Sequence, residues 1–139
     1  MNDNAQRAVA EPMRRGRDIA ERLLEFGLAV LRLVERLPSR PVVRHVALQL
    51  FRSATGVGSN YDEARAAESR LDFVHKLAIA RKEARESCYW LALIQRSGWL
   101  PSDLRPLIQE ANELSAILAA SARTARMPDA SRPPPPLPL

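Results

Sequence analysis

Apolar side chains recur at helical spacing over four stretches of the chain. In the first, Ile19, Leu23, Phe26, Val30, Leu33 and Leu37 step by fours and threes, which places them along one side of an α-helix. Pro38 and Pro41 then bracket a turn, and Pro41 suits the opening turn of a second helix because that position needs no amide donor. The second stripe runs Val43, Val46, Leu50, Ala54, Val57, Tyr61 and Ala64. Ser69 with Asp72 three residues on has the form of a capping box, Asp replacing the usual Glu. A third helix follows, with Phe73, Leu77, Ala80, Ala84, Cys88 or Ser87, Leu91 and Ile94, and Gly98 and Pro101 end it. Ser102 is placed to cap a fourth, which carries Leu104, Leu107 or Ile108, Ala111, Leu114 and Leu118. No stretch alternates as a strand does. Four helices joined by short turns pack as antiparallel neighbours, so the pattern predicts an all-α, up-down-up-down four-helix bundle over residues 17–126.

The two ends lack this periodicity. Residues 1–16 carry a Pro and a Gly and no sustained stripe, and read as a flexible N-terminal arm. Residues 127–139 include RPPPPLPL, which cannot be helical because proline lacks the amide donor and clashes with the preceding turn. They read as a disordered, extended Pro-rich tail.

Each stripe has apolar residues to spare: Leu24, Leu28 and Leu31 in the first helix, Leu48 and Phe51 in the second, Trp90 and Leu93 in the third. A bundle monomer needs about one stripe per helix. The surplus predicts burial against further copies of the chain.

The stretch RSATGVGSNYDEA holds Gly56 and Gly58 within the second stripe. A phosphate loop needs its glycines between a strand and a helix, and no strand precedes these. Ser53, Gly56 and Asn60 are spaced by three and four and so share one helix face. Helical glycine costs about 1 kcal/mol against alanine, an expense that close approach of another helix offsets. Asn60 is expected to make a polar contact across that interface.

The 139 residues hold 21 Lys and Arg against 16 Asp and Glu, a net charge of +5. Between Glu35 and Asp62 there is no acid, yet Arg36, Arg40, Arg44 and Arg52 occur there, and Arg96 and Arg105 flank the turn expected at the same end of the bundle. These six are the candidate nucleic-acid-binding residues, through backbone phosphates and without base stacking. The run from His75 to Glu86 reads as a solvated face with pairs such as Lys82–Glu86. Glu83 is the exception, expected with Lys76 and Asn60 in a polar network between helices.

Catalysis finds little support. No His follows a Glu by three, so the di-metal carboxylate pattern of helical bundles is missing. His75 lies thirteen residues before Cys88 on one helix, about 20 Å away at 1.5 Å per residue, so Cys88 reads as a packing residue. A single cysteine allows no internal disulfide, no apolar run reaches the ~20 residues of a membrane span, and no signal core follows the N-terminus. The expectation is a cytoplasmic protein, not an enzyme, with no metal, cofactor or small-molecule substrate.

RSATGVGSNYDEA, with SRLDFVHKLAIARKEARESCYWL after it, resembles the four-helix bundle family of 23S rRNA intervening-sequence proteins, to which accessory proteins of diversity-generating retroelements are related. The resemblance is densest from Arg52 to Leu91, and Gly56 stands where many relatives have Ser. It implies a barrel-like homopentamer without enzymatic activity. Members are encoded within ribosomal RNA insertions or serve beside a reverse transcriptase, which implies binding to structured RNA or a ribonucleoprotein. Ser53, Gly56, Asn60, Glu83 and Trp90 are the residues assigned to packing and assembly. The rival reading is a protein-interaction scaffold or accessory subunit whose basic charge is incidental.

Overall fold

The computed structural model describes the backbone of residues 3–127, with side chains from Gly16 onward. Four helices make up the fold: α1 (Asp3–Glu35), α2 (Pro41–Arg65), α3 (Arg70–Ser97) and α4 (Arg105–Arg126). Beyond Met127, the Pro-rich tail lies outside the described residues. The first helix starts at Asp3, so the segment expected as an arm through residue 16 has helical backbone. Its Ala, Arg, Gln, Glu and Met residues favour helix intrinsically, a signal that apolar periodicity does not register.

The helix ends follow local chemistry. Pro41 opens α2. The Ser69 hydroxyl accepts from the Asp72 amide at 3.1 Å and caps α3. Gly98 closes that helix at φ 71°, a left-handed conformation that costs little without a Cβ. The fourth helix departs from expectation. Its start has no side-chain cap from Ser102; instead the Gln95 carboxamide accepts from the Leu104 amide at 2.5 Å and Asp103 accepts from the Arg105 amide at 3.0 Å. Pro106 in the first turn has no amide to satisfy, and Ser102 is free to take a hydrogen bond from Arg36.

Cross-helix pairs run in opposite sequence order between chain neighbours. Gly58 faces Leu23, and the Tyr61 hydroxyl donates to the Gly16 carbonyl at 3.3 Å. Ser53 meets Ser87, while Glu63 meets Lys76. Along α3 and α4, Gln95 reaches Leu104 and Cys88 reaches Asn112. The α1–α4 seam is the narrowest, held by Arg22, which donates to Glu110 at 2.6 and 2.9 Å and to Glu113 at 2.5 Å.

The core is the predicted set of stripes closed on one another: Leu23, Phe26, Val30, Leu50, Val57, Leu77, Leu91, Ile94, Leu114 and Leu118 are all buried. In α3 the stripe passes through Val74 and Ser87, while Phe73 and Cys88 sit half-buried at its edge. Burial also explains the titration of Tyr61, whose phenol is pushed above its ordinary value by desolvation.

Candidate nucleic-acid interface

The small residues of RSATGVGSN lie on the seam between α2 and α3. Ser53 and Ser87 are both fully buried. Ser53 donates to the Leu50 carbonyl at 3.0 Å, and the Ser87 hydroxyl lies 3.0 Å from the Ser53 oxygen and 2.8 Å from the Glu83 carbonyl. A buried hydroxyl needs such a partner. One turn along, Gly56 makes room for Glu83: a Cβ at position 56 would stand 3.2 Å from Glu83 Cγ and Cδ. The close approach expected of these residues therefore occurs within the subunit. Asn60 turns back on its own helix and donates to the Gly56 carbonyl at 2.8 Å.

Glu83 is the most constrained charge on this seam. Its Oε2 is buried and has no hydrogen-bond partner among the described residues, while Oε1 lies 3.7 Å from the Arg52 guanidinium. Desolvation raises its carboxyl above the ordinary value, opposed by Arg52 and assisted by Glu86. The network expected with Lys76 and Asn60 does not form, because Lys76 instead pairs with Glu63 across α2 and α3 at 2.6 Å. That bond raises the Lys76 ammonium above its usual value. Nor does Lys82 pair with Glu86. That carboxylate is taken by Arg52 at 2.5 Å and by the indole of the half-buried Trp90 at 3.2 Å, so the cross-helix partner displaces the one on the same helix.

The six arginines read as a basic surface divide into two groups. Arg36, in the α1–α2 turn, donates to Ser102 in the α3–α4 turn, which shows that both turns lie at one end of the bundle. Arg40 and Arg44 open α2 at that end and Arg96 closes α3 there. All four are exposed and, among the described residues, none has a carboxylate within ion-pair distance. Arg44 makes only a long bond to Ser39 at 3.4 Å. Arg105 is at the same end but is clamped by Asp103 at 2.8 to 3.1 Å, which lowers the Asp103 carboxyl. Arg52 lies further along α2 and is held by Glu83 and Glu86. Local acids thus occupy two of the six.

A second basic surface lies between α3 and α4, on the face where Arg81, Lys82 and Arg85 are solvent-exposed as the sequence predicts. A groove of about 570 Å³ carries Arg81, Lys82 and Arg85 on one wall and Arg123 and Arg126 on the other. It adjoins a recess of about 290 Å³ bordered by Cys88, Asn112 and Ser115. The Cys88 thiol lies 3.3 Å from Asn112 Oδ1, and burial raises its pKa above the ordinary thiol value. A thiol in that state is a poor nucleophile. Among the described residues no group of three or more His, Cys, Asp or Glu side chains is placed to hold a metal ion, and no helix is long and apolar enough to cross a membrane.

On the face of α1 and α2, the surplus leucines come together. Leu24, Leu28, Leu31 and Phe51 line an apolar groove of about 530 Å³, continued by Leu48. Leu24 is 66% and Leu48 61% exposed.

These features define a class: a small helical bundle with unpaired arginine surfaces and an apolar flank. A sequence family described as 23S rRNA-intervening sequence protein matches residues 17–120, and the chain belongs to that family. Among solved structures it is similar to a protein of unknown function from the S23 ribosomal protein family of Bacteroides thetaiotaomicron. The two are 30% identical with a TM-score of 0.71, and the match covers 78% of this chain and 97% of that one. Comparison with curated proteins gives no match.

Proposed function

We propose that this chain is a non-enzymatic bundle of antiparallel, up-down-up-down helices that self-associates and binds structured RNA, or a ribonucleoprotein, through its basic faces. The observation that carries the nucleic-acid reading is the arginine end: Arg36, Arg40, Arg44 and Arg96, exposed and without a carboxylate partner among the described residues. Arginines in that state offer forked donors to backbone phosphates, and each phosphate neutralised releases counterions. The family description, which names an rRNA intervening sequence, agrees with an RNA partner.

Self-association rests on the apolar flank of α1 and α2, where Leu24, Leu28, Leu31, Leu48 and Phe51 form one surface. A ring-like homopentamer is the assembly that the family resemblance implies. Such a ring would repeat the arginine end around its axis and multiply weak phosphate contacts by effective concentration. The work belongs in the cytoplasm, where structured RNA is found.

A salt series tests the reading. Purified protein is titrated onto a duplex RNA and a DNA duplex, beside an Arg40→Glu/Arg44→Glu variant shown by light scattering to assemble alike. Binding should weaken steeply with salt, with a log–log slope near −0.9 per phosphate contacted, and the variant should lose it. Absence of binding at low salt, with the assembly intact, would retire the nucleic-acid role. It would favour the scaffold reading, in which the bundle serves a protein partner such as a reverse transcriptase.

A further inference from the structure

The groove between α3 and α4 has no assigned role, and it gathers more unpaired cations than the arginine end. Arg81, Lys82 and Arg85 face Arg123 and Arg126 across it, all five exposed. Among the described residues, none has a carboxylate within ion-pair distance. Five like charges on facing walls repel one another, an arrangement that a bound polyanion relieves. We propose that this groove is a second backbone site, holding two or three consecutive phosphates of a nucleic-acid strand laid along the α3–α4 seam. The proposal rests on the nucleic-acid reading above.

The dimensions favour a strand. Arg81 and Arg85 are about 6 Å apart along α3 at 1.5 Å per residue, and phosphates recur about every 3.4 Å of axis on each strand of a duplex. The recess bordered by Asn112 and Ser115 prolongs the groove, and from Arg126 to Asn112 the seam runs about 21 Å. A single small anion would leave most of that length unused.

An acidic protein helix fits less well. Helix-in-groove docking is anchored by apolar side chains on both partners. Here the floor residues Leu77 and Leu118 are 0% and 1% exposed, already spent on the subunit's own core. Nor is the groove an extension of the arginine end. Arg85 and Arg81 lie about 18 and 24 Å along α3 from its C-terminus, roughly two to three Debye lengths at physiological salt, so the two surfaces act separately.

The test compares the full-length protein with Arg81→Gln/Arg85→Gln/Arg123→Gln and with Arg81→Lys/Arg85→Lys/Arg123→Lys. Glutamine keeps much of the aliphatic stem and removes the charge; lysine keeps the charge. Each is titrated with a duplex RNA in a salt series, with tripolyphosphate and polyglutamate as competitors and circular dichroism as the folding control. The glutamine variant should bind at least 10-fold more weakly at low salt, with its slope reduced by up to about 2.7, three contacts at 0.9 each. The lysine variant should keep most of the slope. Neither competitor should displace the RNA at concentrations comparable to its phosphates.

If the glutamine variant binds as wild type does while Arg40→Glu/Arg44→Glu fails, the groove proposal falls and the proposed function stands. If the wild type binds no RNA at all, both fall. Displacement by tripolyphosphate at matched concentration would make this a small-anion site, and preferential capture of polyglutamate would make it a protein site; either overturns the proposal.

Discussion

Gly56 is the position where the structure makes the sharpest quantitative demand. Replacing it by alanine should gain about 1 kcal/mol, because glycine is that much poorer inside a helix. The new methyl carbon would stand 3.2 Å from Glu83 Cγ and Cδ and 3.3 Å from Oε2, several tenths of an ångström inside the usual 3.5–4.0 Å contact. Glu83 must give way, and its carboxylate is enclosed on one side and drawn to Arg52 on the other. Overpacking of this kind costs about 1–3 kcal/mol, so Gly56→Ala alone should leave stability unchanged or lower it by up to about 2 kcal/mol. Truncating the neighbour removes the obstruction. In a Glu83→Ala background the same substitution should recover the full helical gain, giving a coupling of at least about 1 kcal/mol between the two sites. Thermal melts of the four proteins would show this as a difference of about 3 °C or more for a chain of this size. Subunit concentration must be fixed, because association shifts apparent stability. Were Gly56→Ala to raise the melting temperature equally in both backgrounds, the glycine would not be there for Glu83, and the steric account of the seam would be wrong.

Glu83 also has a pH signature. Its folded carboxyl titrates above the unfolded value, chiefly through desolvation, so the folded state holds its proton more tightly and the charged form is a cost. That cost appears as pH rises from the ordinary glutamate value, about 4.3, through the raised folded one. Glu83→Gln should therefore raise stability at neutral pH, with an advantage that shrinks on acidification; an advantage that grew in acid would contradict this. On the apolar flank, Leu24→Glu/Leu48→Glu should lower the mass measured by light scattering while leaving helicity unchanged, since both side chains are mostly exposed in the subunit. An unchanged mass would place the assembly interface elsewhere. Gly98→Ala should cost about 1–2 kcal/mol by urea denaturation, because an L-residue at φ 71° is strained by its Cβ. A loss below a few tenths would mean that the α3–α4 turn relaxes into another conformation.

The elements were legible in the sequence wherever an apolar stripe had to be buried. Every residue of the α2 stripe from Val43 to Ala64 is buried, and Ser53 is the one buried residue of that helix outside it, because one packed side at helical spacing admits a single solution. The start of α1 was illegible for the opposite reason: its helix from Asp3 has propensity and no stripe. At α4, Ser102 satisfied the capping pattern, but the pattern says nothing of a guanidinium arriving from another turn. The charges show the same boundary. Contiguous arginines at the α1–α2 turn could be seen along the chain. Whether Arg52 or Arg105 met a carboxylate depended on Glu83, Glu86 and Asp103 in three dimensions. The α3–α4 groove joins Arg81 to Arg123 across about forty residues of sequence, and only packing brings its walls together.

The opposite sequence order of contacts between neighbouring helices also bears on how the chain folds. Helices joined by a short turn pack on one another, so most native contacts are local, and chains with that property fold in microseconds to milliseconds. The seam of Arg22 with Glu110 and Glu113 is different. It joins residues about ninety positions apart, and the entropy of closing a loop rises with its length. The α1–α4 contacts should therefore be the last to form and the first to fray. A chain emerging from synthesis can build α1 on α2, then α3, then α4, and seal the bundle only when its final helix is free.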